Sequence, residues 1–375
     1  MKHRDRVMAA INLEEPDQMP IDLGSTGTLL VDPVYFKVCE LLGIKEKIEP
    51  YRVGTTTNYY DERLLEAFDV DFRHVWLASP DKPKSTRQEN GTTTDYWGIT
   101  WSAEGSYPVV FPLKGKSEQE IINYPWPDPK NWDTGEIRER ARHYCEDTDY
   151  AVVAKAVMDA TGLFERCYCL RSIDEFLVDL ITDEDLGFFI VNKVTDIEIK
   201  LWDIFLSAVG PYINMIQRQS DFGTQTSLFI SPELYRKYFK PSEERIYSFI
   251  HSKAPHAKIW FHSCGAVEPL INDFIDVGID ILNPIQPLCP GMDSESLKKK
   301  YGKKLCFHGG IDLQKALPGT MEDTINEVKH RIKDLAPGGG YIMAPANHIQ
   351  KDVPAENVIA LYKSARKFGK YPIEL

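Results

Sequence analysis

Cysteine is too scarce and too irregularly placed here to staple a fold. Seven residues, an odd number without a repeating spacing, are not the disulfide framework of a small secreted domain. No apolar run approaches the ~20 residues of a membrane-spanning helix. The opening stretch, MKHRDRVMAAINLEEPDQMP, lacks the apolar centre of a secretory signal. The expected location is therefore cytoplasmic, with no membrane association. Positive charge is also short: 44 Lys and Arg face 56 Asp and Glu, a formal net charge of −12. That balance argues against nucleic acid as a partner. No G-x-G-x-x-G follows the first predicted strand, which removes support for a nucleotide-binding open sheet. Internal repeats and low-complexity segments are missing too.

What remains is ordinary soluble composition, 43% hydrophobic and 27% charged over 375 residues, enough to bury a large core. Short apolar runs predict strands at 19–23, 71–77, 151–157, 212–218, 258–262, 279–283, 304–308 and 340–344. Amphipathic helices are expected between most of them, the longest over 183–208. Strand and helix alternation at this spacing implies parallel βαβ units, and eight of them imply an α/β (β/α)8 TIM barrel in one domain, 1–375. A doubly wound open sheet is the alternative. Residues 90–112 break the pattern. TTTDYWGITWSAEGSYPVVF alternates and turns at Glu104–Gly105, which predicts a β-hairpin excursion carrying Trp97 and Trp101.

Chemistry concentrates in KIWFHSC, 258–264, a strand ending in His262-x-Cys264. Residues two apart on a strand share a face, so an imidazole and a thiol converge there, and zinc is the usual ion for N and S ligands. Other polar residues gather at the predicted carboxyl ends of strands, where a barrel carries its active site. They include Asp22, Asp221, Asn283, Gln286, His308, Gly309 and His348. The amino-terminal ends carry Lys258, Lys303 and Lys304 instead. His348, Cys306, His308 and Asp221 all qualify as a third ligand. Asp221, His308 and Asp22 are the expected catalytic groups, and Gln286, Asn283 and Gly309 the expected cofactor contacts. Cys167 and Cys169 read as helix packing.

The segments SDFGTQTSLFISPELYRKYFKP, FHSCGAVEPLINDFIDVGIDILNPIQP, LCFHGGIDLQKALPGT and GGGYIMAPANHIQKDVPAENVIALY strongly resemble the uroporphyrinogen decarboxylase superfamily. The resemblance covers most of 210–365 and, more loosely, the start. It implies a (β/α)8 barrel and one of two chemistries: cofactor-free decarboxylation, or zinc-dependent methyl transfer to or from a corrinoid protein. The decarboxylases carry an Arg-rich RQAGRY segment near the amino terminus. The comparable loop here, DLGSTGTLL, has no arginine to hold substrate carboxylates. The methyltransferases share the His-x-Cys but add a later Cys, where this chain has Asn347 in APANHIQ. The resemblance therefore implies a methyltransferase with zinc on His262, Cys264 and, in place of the second thiolate, His348. Exchanging a thiolate for an imidazole would make the zinc a stronger Lewis acid. A methoxylated aromatic, a methylamine or a thiol would serve as the small-molecule methyl donor or acceptor. The chain has no D-x-H-x-x-G pattern, so methylcobalamin or another corrinoid would arrive on a partner protein docked over the barrel mouth. A homodimer is also expected from the class.

Overall fold

The computed structural model describes residues 1–52, 55–78, 86–103, 107–158 and 161–375. Its organising element is a curled parallel sheet of seven strands. These are β1 (Phe72–Val75), β6 (Ala151–Ala154), β7 (Met215–Gln219), β8 (Lys258–His262), β9 (Ile281–Ile285), β10 (Cys306–Ile311) and β11 (Tyr341–Pro345), hydrogen-bonded in that order. An eighth stave, residues 19–23, joins the two edges. Ile21 pairs in parallel with Met343 of β11, and its carbonyl accepts the Asp71 N–H beside β1 at 3.1 Å. The predicted (β/α)8 barrel is thus realised. Nearly every strand residue is buried, because the staves are covered on the outside by helices and filled within by side chains.

The helices follow the expected periodicity. Glu184–Val209 buries one long apolar face, and Pro232–Lys253 runs through a single wide turn at Tyr235–Phe239. Thr320 begins the helix Met321–Leu335 with a capping box closed by Asp323. No helix among the described residues is long and apolar enough to cross a membrane.

The antiparallel excursion is present and larger than a single hairpin, and one expectation about strand ends is corrected. The hairpin excursion is a four-stranded antiparallel sheet, β2 (Thr86–Arg87), β3 (Thr93–Thr94), β4 (Thr100–Trp101) and β5 (Pro108–Val110). Alternation reveals strands but not how many partners each finds. The predicted turn at 104–105 lies outside the described residues. Trp97 is fully buried, its ring 4.8 Å from the Arg166 guanidinium. The strands β9 and β10 run two to three residues further than the apolar pattern predicts. Gly309 and Gly310 continue β10 with φ near +100° instead of ending it. Asn283 and His308 consequently lie within strands, in the barrel interior, instead of at the rim.

Candidate metal centre

Two loops at the carboxyl ends of β7 and β8 are pressed backbone to backbone. A Cβ on Gly265 (φ +89°) would lie 2.4 Å from the Thr224 carbonyl, and one on Gly223 would lie 2.6 Å from the Cys264 carbonyl. Only glycine permits this approach. It brings Asp221, which follows β7, beside Cys264, which follows β8. The Asp221 Oδ1 accepts the Cys264 N–H at 2.8 Å. Ser263 accepts the Phe222 N–H at 3.1 Å, and Gln286 Oε1 accepts the Gly265 N–H at 2.8 Å. Gln286 therefore clamps this loop, and its Nε2 reaches the Ala346 carbonyl beyond β11.

Within that frame the ligand atoms of Asp221, His262 and Cys264 all lie within 4.8 Å of one another. His262 Nε2 stands 3.3 Å from Cys264 Sγ and 3.7 Å from Asp221 Oδ1. A chain of buried hydrogen bonds decides which way its lone pair points. Asp22, fully buried, stays ionised. Burial alone would raise it, but His74, His308 and Ser25 hold it at about 2. A carboxylate only accepts, so His308 presents Nε2–H to Asp22 Oδ2 at 3.2 Å. His308 Nδ1 is then an acceptor, receiving a hydrogen bond from Asn283 Nδ2–H at 2.7 Å. Asn283 in turn offers Oδ1 to His262 Nδ1–H at 2.5 Å. His262 is left with its Nε2 lone pair facing the thiol and the carboxylate. This is the outer-shell orientation that imidazole ligands require. His262 and His308 are both kept neutral, chiefly by burial.

The Cys264 thiol is pushed well above its usual range by burial and by Asp221 and Glu165. Its S–H donates to His262 Nε2, and the sulfur also accepts Asn347 Nδ2–H at 3.3 Å. Asn347 thus bonds directly to the sulfur. Low-polarity surroundings raise Asp221 to about 6. Glu165 escaped the sequence reading. It sits in the first turn of the helix Leu163–Arg171, accepts from Ser220 Oγ at 3.1 Å, and is raised to about 7 by burial and Asp221. The legible signal was an acid one helical turn after a glycine at a strand end: a Cβ on Gly162 would overlap the Gln219 carbonyl.

Other expected site residues take different places. His348 is outside the three-donor cluster. Its Nδ1 accepts the Leu29 N–H at 3.1 Å, and burial, Arg52, His262 and Lys155 depress it to about 3. The neutral ring then carries its proton on Nε2 and presents a donor there, not a ligand lone pair. Gly309 lets the sheet close up, with its carbonyl accepting Tyr341 Oη–H at 2.9 Å. Cys306 is buried within β10, and Cys167 and Cys169 pack inside their helix.

The fold and this cluster define a (β/α)8 barrel with an N, O and S donor set at its mouth. Over residues 161–368, more than half its length, the chain matches the uroporphyrinogen decarboxylase (URO-D) family model, and it belongs to that family. Among solved structures it is similar to a methyltransferase from Methanosarcina mazei, at 17% identity and a TM-score of 0.66, with 98% of this chain and 99% of that one covered. A B12-independent methionine synthase from Shewanella sp. W3-18-1, in complex with selenomethionine, aligns at 11% identity and a TM-score of 0.47, covering 93% and 96%. No curated protein sequence matches the chain.

Proposed function

We propose that this protein is a zinc-dependent methyltransferase that moves a methyl group between a small methylated substrate and a corrinoid held by a partner protein. The carrying observation is the convergence of Asp221, His262 and Cys264, with the His262 Nε2 lone pair aimed into the cluster. An imidazole nitrogen, a carboxylate oxygen and a thiol are a donor set that zinc accepts. The likeness in fold to a methyltransferase supports the same reading.

His262, Cys264 and Asp221 would hold the ion. Zinc so bound would supply Lewis acidity toward the heteroatom that carries or receives the methyl group. With Asp221 in place of His348, the ligand set keeps two negative charges. What changes relative to two thiolates is hardness, and a carboxylate oxygen favours an oxygen or nitrogen heteroatom over sulfur. Asn347 holds the Cys264 sulfur in place through a hydrogen bond, and Glu165 retains a proton next to Asp221. Asp22, His308 and Asn283 orient His262 from below without touching substrate. Asp22 and Asp71 are both locked into buried bonds, so neither is free at the mouth to serve a decarboxylation.

The test is metal content by elemental analysis. About one zinc per chain is expected in the wild type, the stoichiometry of a mononuclear site, and almost none in Cys264→Ser that still unfolds cooperatively. Zinc-loaded protein should then move the methyl group from methylcobalamin to an added thiol or amine acceptor, or from an added methylated donor to a reduced corrinoid protein. Absence of zinc from wild-type protein purified with zinc supplied would defeat this reading.

A further inference from the structure

Lys155 is the first residue beyond β6, at the carboxyl end of the barrel, with its N–H bonded to the Val75 carbonyl at 2.8 Å. Its side chain is 6% exposed, and no carboxylate lies within ion-pair distance of it among the described residues. Its ammonium stands 5.5, 5.7 and 5.8 Å from the ring centroids of Tyr51, Tyr60 and Trp76. Arg52 lies beside it, 5.1 Å from the Tyr51 ring. Its guanidinium bonds only to the carbonyl and hydroxyl of Thr57 among the described residues. Burial, with the charge of Arg52, lowers Lys155 to about 7. Asp22 pulls the other way, but its Oδ2 already serves His308 and Thr28. Among the described residues neither cation of this aromatic-walled recess has a carboxylate within ion-pair distance, and Asp22 acts on Lys155 only from further away. Burying an unpaired ammonium is costly unless something compensates it.

His348 stands between this recess and the metal centre, within electrostatic reach of both. His348 feels Arg52, His262 and Lys155 together. The loop over the mouth also measures the gap. A Cβ on Gly24 would sit 2.7 Å from the Tyr60 ring, and a Cβ on Gly27 would sit 2.8 Å from His262 Cε1. Three residues of chain span at most roughly 10 Å. The aromatic wall and the donor cluster are therefore held within reach of one small ligand.

We propose that Lys155 and Arg52 form a carboxylate subsite, and that the substrate is a small aromatic acid with its methylated heteroatom at the end away from the carboxylate. Tyr51, Tyr60 and Trp76 would flank the ring, and the cations would pair with the carboxylate. The position of the reacting end rests on the methyl-transfer reading; capture of the acid does not.

The test is titration calorimetry of the full chain with benzoate and 4-methoxybenzoate, against their uncharged primary amides. Both acids should bind wild-type protein at least tenfold more tightly than their amides. Lys155→Met should weaken the acids at least tenfold while leaving the amides within a factor of about three, and Arg52→Gln should weaken the acids in the same sense. Melting curves of both variants establish that they are folded. Acids binding no better than amides, no binding of either acid, or full binding by folded Lys155→Met would each overturn the proposal. Zinc content separates the two readings: a wild type without zinc that still captures acids refutes only the methyltransferase, and a zinc-loaded wild type indifferent to charge refutes only the subsite.

Discussion

At the scale of single residues, the orientation of one imidazole is decided three hydrogen bonds away. If Asn283 were flipped, His308 would have to turn an unprotonated nitrogen toward the Asp22 carboxylate, so the Asp22 charge selects the arrangement. Asp22→Asn removes that selection without touching the donor cluster. Zinc affinity, measured by competition with a chromophoric chelator, is expected to fall roughly 10- to 100-fold, as for other outer-shell losses. Nitrogen NMR of the histidines should show His262 mixing tautomers, and unchanged affinity would disconnect Asp22 from the centre. Lys155 makes a second prediction at this scale. Its folded pKa of about 7 lies below the ordinary lysine value of 10.5, so the unfolded chain binds more protons between those values. Wild-type stability should therefore rise from pH 7 toward 10. A tenfold loss of proton affinity on folding is worth roughly 1.4 kcal/mol. Lys155→Met should accordingly be more stable than wild type by a few kcal/mol at pH 6 to 7, with the advantage shrinking as pH rises. A constant difference in denaturant midpoint across that range would contradict this. His262 and Cys264 were legible because both sit where a strand visibly stops. Asn283 and His308 were recognised as important but placed at the rim, because two glycines that continue β10 look in sequence like its end.

At the scale of elements, periodicity recovered the parallel strands and the major helices, because each buries apolar residues on a repeating face. It did not show which loops touch. The contact between the β7 and β8 loops that joins Asp221 to Cys264 is made by Gly223 and Gly265, and a glycine does not name its neighbour in advance. The loop of residues 24–28 poses the same problem. Gly27 has φ +103°, and any Cβ there would press on the His262 ring. Gly43 also has positive φ, +74°, but nothing lies within 4 Å of its Cβ position. Alanine at either site should cost on the order of 1 kcal/mol or more in backbone strain. Only Gly27→Ala should also lower zinc affinity, by displacing His262. Equal zinc affinity in the two variants would show that the loop does not bear on the centre.

At the scale of the whole molecule, chemistry and closure occupy opposite ends of the barrel. The carboxyl ends of the strands hold the donor cluster and the cationic recess. At the amino end, the fully buried Asp71 accepts from His3 Nδ1 at 2.8 Å, Arg6 at 2.7 Å, Arg366 at 2.9 Å and the Ile21 N–H at 2.8 Å. One carboxylate thereby ties the first helix, the closing stave, β1 and the last helix together. Sequence patterning exposed the buried run around Asp71 but not this role, since its partners lie up to 295 residues away. Burial would raise Asp71, yet His3, Arg366 and Arg6 hold it below the ordinary aspartate value of 3.8. A depressed folded pKa stabilises the native state above the unfolded pKa and loses that contribution as pH falls through the folded value. Asp71→Asn leaves buried cations uncompensated and should cost about 3–5 kcal/mol near pH 7. The gap to wild type should narrow as the pH is lowered below about 4, where the wild-type carboxylate also becomes protonated. Because the closure lies at the other end from the cluster, the variant should still bind zinc at wild-type affinity at temperatures where it is folded. A folded Asp71→Asn protein unable to hold zinc would mean that the two ends of the barrel are coupled, and that closure of the stave at 19–23 sets the metal centre.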